Sequence, residues 1–129
     1  LIVRIDANGK VNAVGGTVAN GAVTANVRAF GNYTLMLDTV PPVITNLDLK
    51  ADMRGRKSFT IKVSDDLSGI GSWKGLIDGK WVLLEYEPKD KTLTHTFDRF
   101  SQGTGKRTFV LEVTDDRGNT SRTEVVFTQ

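Results

Sequence analysis

No cysteine occurs among the 129 residues, which excludes disulfides, thiol chemistry and cysteine-ligated zinc together. That absence suits a reducing compartment and many bacterial surface proteins alike, so it selects no compartment. Histidine occurs once, as His95. A zinc ion takes about three or four protein ligands, so one histidine cannot make the site. No apolar run is longer than Trp81-Val82-Leu83-Leu84, far short of the roughly 20 residues that span a membrane. Neither a Gly-x-Ser-x-Gly elbow nor a Gly-x-Gly-x-x-Gly or phosphate-loop motif is present. Charge of one sign is also scarce: 17 basic and 15 acidic residues leave +2, and the longest basic cluster is Arg54-Gly55-Arg56-Lys57. Nucleic acid or an anionic membrane therefore has little to bind.

What is present is a soluble globular composition, 39% hydrophobic and 25% charged. Nearly every segment alternates with period two, and no window sustains a helical stripe. Leu1, Val3 and Ile5 alternate up to the turn at Asn8-Gly9, and Lys10 to Val14 returns. Asn20-Gly21 leads into a strand over Ala22 to Phe30, and Tyr33 to Asp38 follows. Residues 1–40 thus read as a small β meander, the end of a preceding β domain, in a fragment cut from a longer chain. Pro41-Pro42 cannot continue a hydrogen-bonded ladder, so the boundary is placed there.

Residues 41–129 carry about seven alternating runs with turns between them, the pattern of an immunoglobulin-like antiparallel β-sandwich. The runs are Val43–Leu49, Ser58–Val63, Ser72–Asp78, Lys80–Tyr86, Thr92–Phe97, Lys106–Thr114 and Thr123–Thr128, with Asp78-Gly79 as a hairpin turn. An internal echo supports this. Phe59-Thr60-Ile61-Lys62-Val63-Ser64-Asp65-Asp66 matches Phe109-Val110-Leu111-Glu112-Val113-Thr114-Asp115-Asp116 in residue type at nearly every position. As two inward-facing strands on opposed sheets, they would bring their aspartate loops together at one end.

The loops Asp65-Asp66-Leu67-Ser68-Gly69-Ile70 and Thr114-Asp115-Asp116-Arg117-Gly118-Asn119-Thr120-Ser121 resemble those of bacterial immunoglobulin-like and fibronectin-type-III-like surface domains. Phe30-Gly31-Asn32-Tyr33, Asp38-Thr39-Val40-Pro41-Pro42-Val43-Ile44 and Ile77-Asp78-Gly79-Lys80-Trp81-Val82 resemble the C-terminal region of secreted lysostaphin-like, peptidoglycan-directed metalloendopeptidases of Bacteroides-type bacteria. The resemblance implies an extracytoplasmic chain whose β modules follow a catalytic domain. The family's His-x-x-x-Asp and His-x-His zinc ligands have no counterpart here, so no catalytic residue is carried over.

Four aspartates, Asp65, Asp66, Asp115 and Asp116, could offer oxygens to calcium, which takes about six to eight. The plainer reading, in which they shape turns by accepting backbone N–H groups, is favoured because no calcium-loop signature is present. Trp73, Trp81 and Tyr86 flank the Asp78-Gly79 turn and could stack on sugar rings, but mixed parity puts at least one tryptophan in the core. His95 alternates with Leu93 and Phe97 and reads as a satisfied core histidine. Asp78, Glu85 and Glu87 could be cast as glycosidase acids, yet acids beside a solvated hairpin are commonplace. The expectation is a non-catalytic spacer or domain-positioning module, monomeric, with a neighbouring domain of the same chain as its partner and no cofactor beyond a calcium candidate. The alternative is a module that binds carbohydrate or peptidoglycan through the hairpin aromatics.

Overall fold

A computed structural model describes residues 1–27 and 31–129. The end of the strand expected over Ala22 to Phe30, and Phe30 of the first joint motif, lie outside the described residues. Every regular element among the described residues is a strand. They are β1 (Ile2–Ile5), β2 (Val11–Gly15), β3 (Thr17–Ala19), β4 (Ala22–Thr24), β5 (Asn32–Leu35), β6 (Val43–Asn46), β7 (Ser58–Ser64), β8 (Ile70–Ile77), β9 (Lys80–Val82), β10 (Glu85–Glu87), β11 (Thr92–Thr96), β12 (Lys106–Asp115) and β13 (Thr120–Thr128).

Two four-stranded antiparallel sheets, ordered β10-β11-β7-β6 and β13-β12-β8-β9, form the sandwich. Alternation dictates the core. Phe59, Ile61 and Val63 of β7 and Phe109, Leu111 and Val113 of β12 are all fully buried, while Lys62 and Glu112 between them are exposed. The echo strands therefore lie in opposed sheets, and their matched rings Phe59 and Phe109 meet edge to face at 4.8 Å between centroids. Leu93, Ile77 and Phe127 fill the space around them.

The segment expected as one strand over Lys80 to Tyr86 divides in two. Its first part, β9, pairs with β8, and its second, β10, pairs with β11 of the other sheet. Leu83 and Leu84 make the crossing, with Leu84 inside and Leu83 outside. Gly75 makes room for this: a Cβ there would stand 2.6 Å from Leu84 Cδ1. The alternation runs unbroken through the crossing, with Val82, Leu84 and Tyr86 inward and Trp81, Leu83 and Glu85 outward, and the division raises the strand count of the sandwich to eight.

The β8–β9 turn has φ of 51° at Asp78 and 79° at Gly79, as a two-residue type I′ hairpin requires. Asn20-Gly21, at 51° and 77°, does the same between β3 and β4. Residues before Pro41 do not form a simple meander. β5 pairs with β1 rather than with β4, giving a sheet ordered β2-β1-β5, and β3-β4 stand apart as a hairpin. Val3 of this sheet and Leu1, just before β1, are buried.

Candidate functional site

The end of the sandwich at which β7 and β12 finish gathers the polar groups. Asp65 follows β7, and Asp115 ends β12. Each shapes the loop after it in the same way. Asp65 Oδ1 accepts the N–H groups of Leu67 (3.1 Å) and Gly69 (3.0 Å), and Asp115 Oδ1 those of Arg117 (2.8 Å) and Asn119 (3.0 Å). Gly69 and Gly118 both sit at φ 86°, the left-handed region these tight loops need. The sequence echo is thus an echo of loop geometry, each aspartate closing its turn through bonds to residues two and four further on.

A third carboxylate joins them from the connecting segment. One ligand oxygen each of Asp38, Asp65 and Asp115 lies within 4.8 Å of the others. Asp66 and Asp116 are exposed and stay outside this group, because adjacent residues direct their side chains to different sides. Asp38 was missed in sequence because nothing local sets it apart; only the path of the chain past the two loops makes it a partner.

Asp38 also fastens the connecting segment to the sandwich. Its Oδ2 accepts the N–H of Ser68 at 3.1 Å, and its backbone carbonyl accepts Nδ2 of Asn119 at 2.8 Å. Burial works to raise the Asp38 carboxyl, but hydrogen bonds from Ser68 and Val40 outweigh it and hold the group below the usual carboxylate value. Three further contacts tie earlier residues to the sandwich or to one another. Ser121 Oγ donates to the Pro42 carbonyl, Arg117 Nη1 donates to Gly16 O at 3.2 Å, and the Leu1 amino group donates to Met36 O at 2.8 Å. Asn119 bridges the two sides, since its Nδ2 also donates to Asp115 Oδ2 at 2.8 Å.

The aromatic candidates separate. Trp73 shares the inward parity of Gly75 and Ile77, is half-buried, and packs on Tyr86 at 5.1 Å between ring centroids. Trp81 stands opposite Leu76 on the other face of the same sheet and is 65% exposed. The three rings do not make one platform. Beside Trp81 is a hollow of about 260 Å³ bordered by Leu83 and by the exposed Phe100. His95 lies at its base, 2% exposed, with Nδ1 on Leu83 O (2.7 Å) and Nε2 on Ser101 Oγ (2.9 Å). Both ring nitrogens are occupied, as a buried imidazole requires.

The acids of the hairpin are also placed apart. Asp78 is held by Arg107, whose Nε donates to Oδ2 at 2.8 Å, and by the Thr108 N–H at 3.0 Å. These contacts, Arg107 first, draw its carboxyl below the usual value. Glu85 and Glu87 are exposed on β10, in the opposite sheet. A Zu5-like domain model matches residues 1–38. Among solved structures, the fibronectin(III)-like modules of Clostridium thermocellum CbhA share the fold with a TM-score of 0.56 and 14% identity. That match covers 98% of this chain and 58% of the other, so the chain spans little more than half the length of its structural neighbour. No curated protein matches in sequence.

Proposed function

We propose that the chain is a non-catalytic structural module that holds a neighbouring β unit at a set angle, in an extracytoplasmic protein of the bacterial envelope. The fold is an immunoglobulin-like, fibronectin III-like β-sandwich, an architecture that leaves function to the sites it carries. We read two units, residues 1–40 and 41–129. The end of the Zu5-like match at residue 38 and the absence of strand structure over 36–42 support that division.

One observation carries the proposal: Asp38 is seated between the two aspartate loops, with hydrogen bonds from Ser68 and Asn119 across the joint. A loose tether would not offer its backbone carbonyl and its carboxylate to two different loops at once. The parent is read as a peptidoglycan metallopeptidase with this region C-terminal to its catalytic domain, on the strength of the loop and joint motifs. Residual dipolar couplings on the chain test the positioning role. A single alignment tensor should fit amides of both units, and two independent tensors would refute it.

The calcium candidate falls at the same joint. The Oδ1 atoms of Asp65 and Asp115 already take two N–H groups each, Asp115 Oδ2 takes Asn119 Nδ2 and Asp38 Oδ2 takes the Ser68 N–H. Among the described residues, a cation would share these oxygens with the bonds that hold the joint and find only the second oxygen of Asp65 without an N–H donor. A native-state ligand at about 100 times its Kd adds ~2.7 kcal/mol. Thermal melts with calcium and with a chelator should therefore differ by several degrees, and coincident melts exclude the ion. The alternative function, binding of carbohydrate or peptidoglycan through the hairpin aromatics, is favoured by the exposed Trp81 beside its hollow. A saccharide there should shift Trp81 emission and leave Trp73 unchanged.

A further inference from the structure

Acids gather at one end of the sandwich and cations at the other, where Arg54 and Arg107 are nevertheless paired with Asp52 and Asp78. β7 and β12 both finish at the aspartate end, where Asp38, Asp65, Asp66, Asp115 and Asp116 collect. Both begin at the other end, β7 just after Arg54-Gly55-Arg56-Lys57 and β12 at Lys106-Arg107. That second end holds a hollow of about 590 Å³. It is bordered by the buried Met53, by the Arg54–Lys57 turn, and by Gln102, Gly103, Thr104 and Gln129.

The cations of this cleft are not equivalent. Arg54 is spent on Asp52, with Nε on Oδ1 and Nη2 on Oδ2, both at 2.9 Å. Arg56 and Lys57, by contrast, are exposed and stand in no ion pair among the described residues. Their turn is held by the Arg56 N–H donating to Met53 O at 3.0 Å and by Gly55 at φ 75°, and the Lys57 carbonyl accepts the Phe97 N–H at 2.9 Å. The backbone that presents the two charges is therefore anchored to β11 and to the core.

We infer that this cleft binds an acidic polysaccharide, with Arg56 and Lys57 on its carboxylates and Gln102 and Thr104 on its hydroxyls. Charge complementarity requires an anionic ligand. The lining chooses among anions: no aromatic ring is present on which a nucleobase could stack, whereas amide and hydroxyl side chains match the donor and acceptor pattern of sugar hydroxyls. The cleft has room for more than one sugar ring. The inference is independent of the joint at the aspartate end and of the hollow beside Trp81.

Fluorescence anisotropy of a labelled galacturonate tetramer tests it. The chain should bind the tetramer, and binding should weaken as NaCl rises from ~20 to ~300 mM, because exposed charges are increasingly screened. The Arg56→Ala/Lys57→Ala variant should bind roughly tenfold less tightly. Lys62→Ala/Lys89→Ala removes the same charge near the opposite end of β7, about 20 Å away along the strand, and should bind as the unaltered chain does. All four positions are exposed, so the melts of both variants should coincide with that of the parent. No binding at ~5 mM tetramer, equal loss in the two variants, or equal binding of an uncharged glucose tetramer would each overturn the inference. Tighter binding of a single-stranded oligonucleotide of matched charge would overturn it in favour of nucleic acid.

Discussion

Replacing Asn119 by alanine perturbs the joint through one side chain. The asparagine Nδ2 donates to Asp38 O and to Asp115 Oδ2, both at 2.8 Å, while its backbone N–H keeps its own bond to Asp115 Oδ1. Alanine therefore leaves the aspartate loop closed and removes only the bridge. A neutral hydrogen bond contributes about 0.5–1.5 kcal/mol net, and one to a charged acceptor about 1.5–3. Asn119 and Asp38 are only partly buried, although Asp115 is buried, so water recovers a share chiefly of the bond to Asp38 O, and the expected loss is ~1–3 kcal/mol. For a chain of this size each kcal/mol lowers the melting temperature by roughly 4 °C, giving a fall of about 4–12 °C. Calorimetry supplies this number, and residual dipolar couplings supply the geometric readout, since the two units should lose their common alignment. Asn119→Asp sharpens the test. Its carboxylate would face Asp115 and Asp38, so it should destabilise more than alanine at pH 7. A melt of Asn119→Ala within a degree of the parent, with a single alignment tensor retained, would refute the claim that this bridge fixes the joint.

Three other outcomes follow from the sandwich itself. Phe109→Ala should cost ~3–5 kcal/mol, and a double-mutant cycle with Phe59→Ala should return a coupling of ~0.5–1.5 kcal/mol from their edge-to-face contact; strictly additive losses in chemical denaturation would contradict it. Gly75→Ala should destabilise by ~1–3 kcal/mol through overpacking on Leu84, and Leu84→Ala in the same chain should recover part of the loss; an unaffected Gly75→Ala melt would mean the sheet crossing is not tightly packed. Asp78, through Arg107 first, and Asp98, through the Phe100 N–H first, both have carboxyls lowered in the folded state, as does Asp38. Their contribution is therefore complete above the unfolded value near ~3.9 and is lost as pH falls through the lower folded values. Asp78→Asn should flatten the acid limb of stability against pH, and an unchanged slope would exclude Asp78 as a contributor.

Much of the fold was legible because a strand with one buried face must alternate. That rule alone marks Phe59, Ile61 and Val63 and their echo Phe109, Leu111 and Val113 as core. The positive-φ turns at Asn20-Gly21 and Asp78-Gly79 were legible for a similar reason, since few residue pairs tolerate that backbone. Both are local constraints, and local constraints are written in neighbouring residues.

The sheet crossing at Leu83-Leu84 was not legible, because the room that Leu84 occupies is left by Gly75, a residue on another strand. Nor was the division of the aromatics, since the face occupied by Trp81 depends on which strand it pairs with. The aspartate loops could be read from their spacing, yet Asp38 joins them only because the chain passes between two loops separated by about fifty residues of sequence. In the same way Arg56 and Lys57 look like an ordinary basic turn until the loop over 102–104 closes a cleft around them. Sequence determined which residues turn and which face inward, as these follow from one residue's steric and solvation preferences. Tertiary structure alone decided which distant polar groups share a site, because proximity between them belongs to the path of the whole chain.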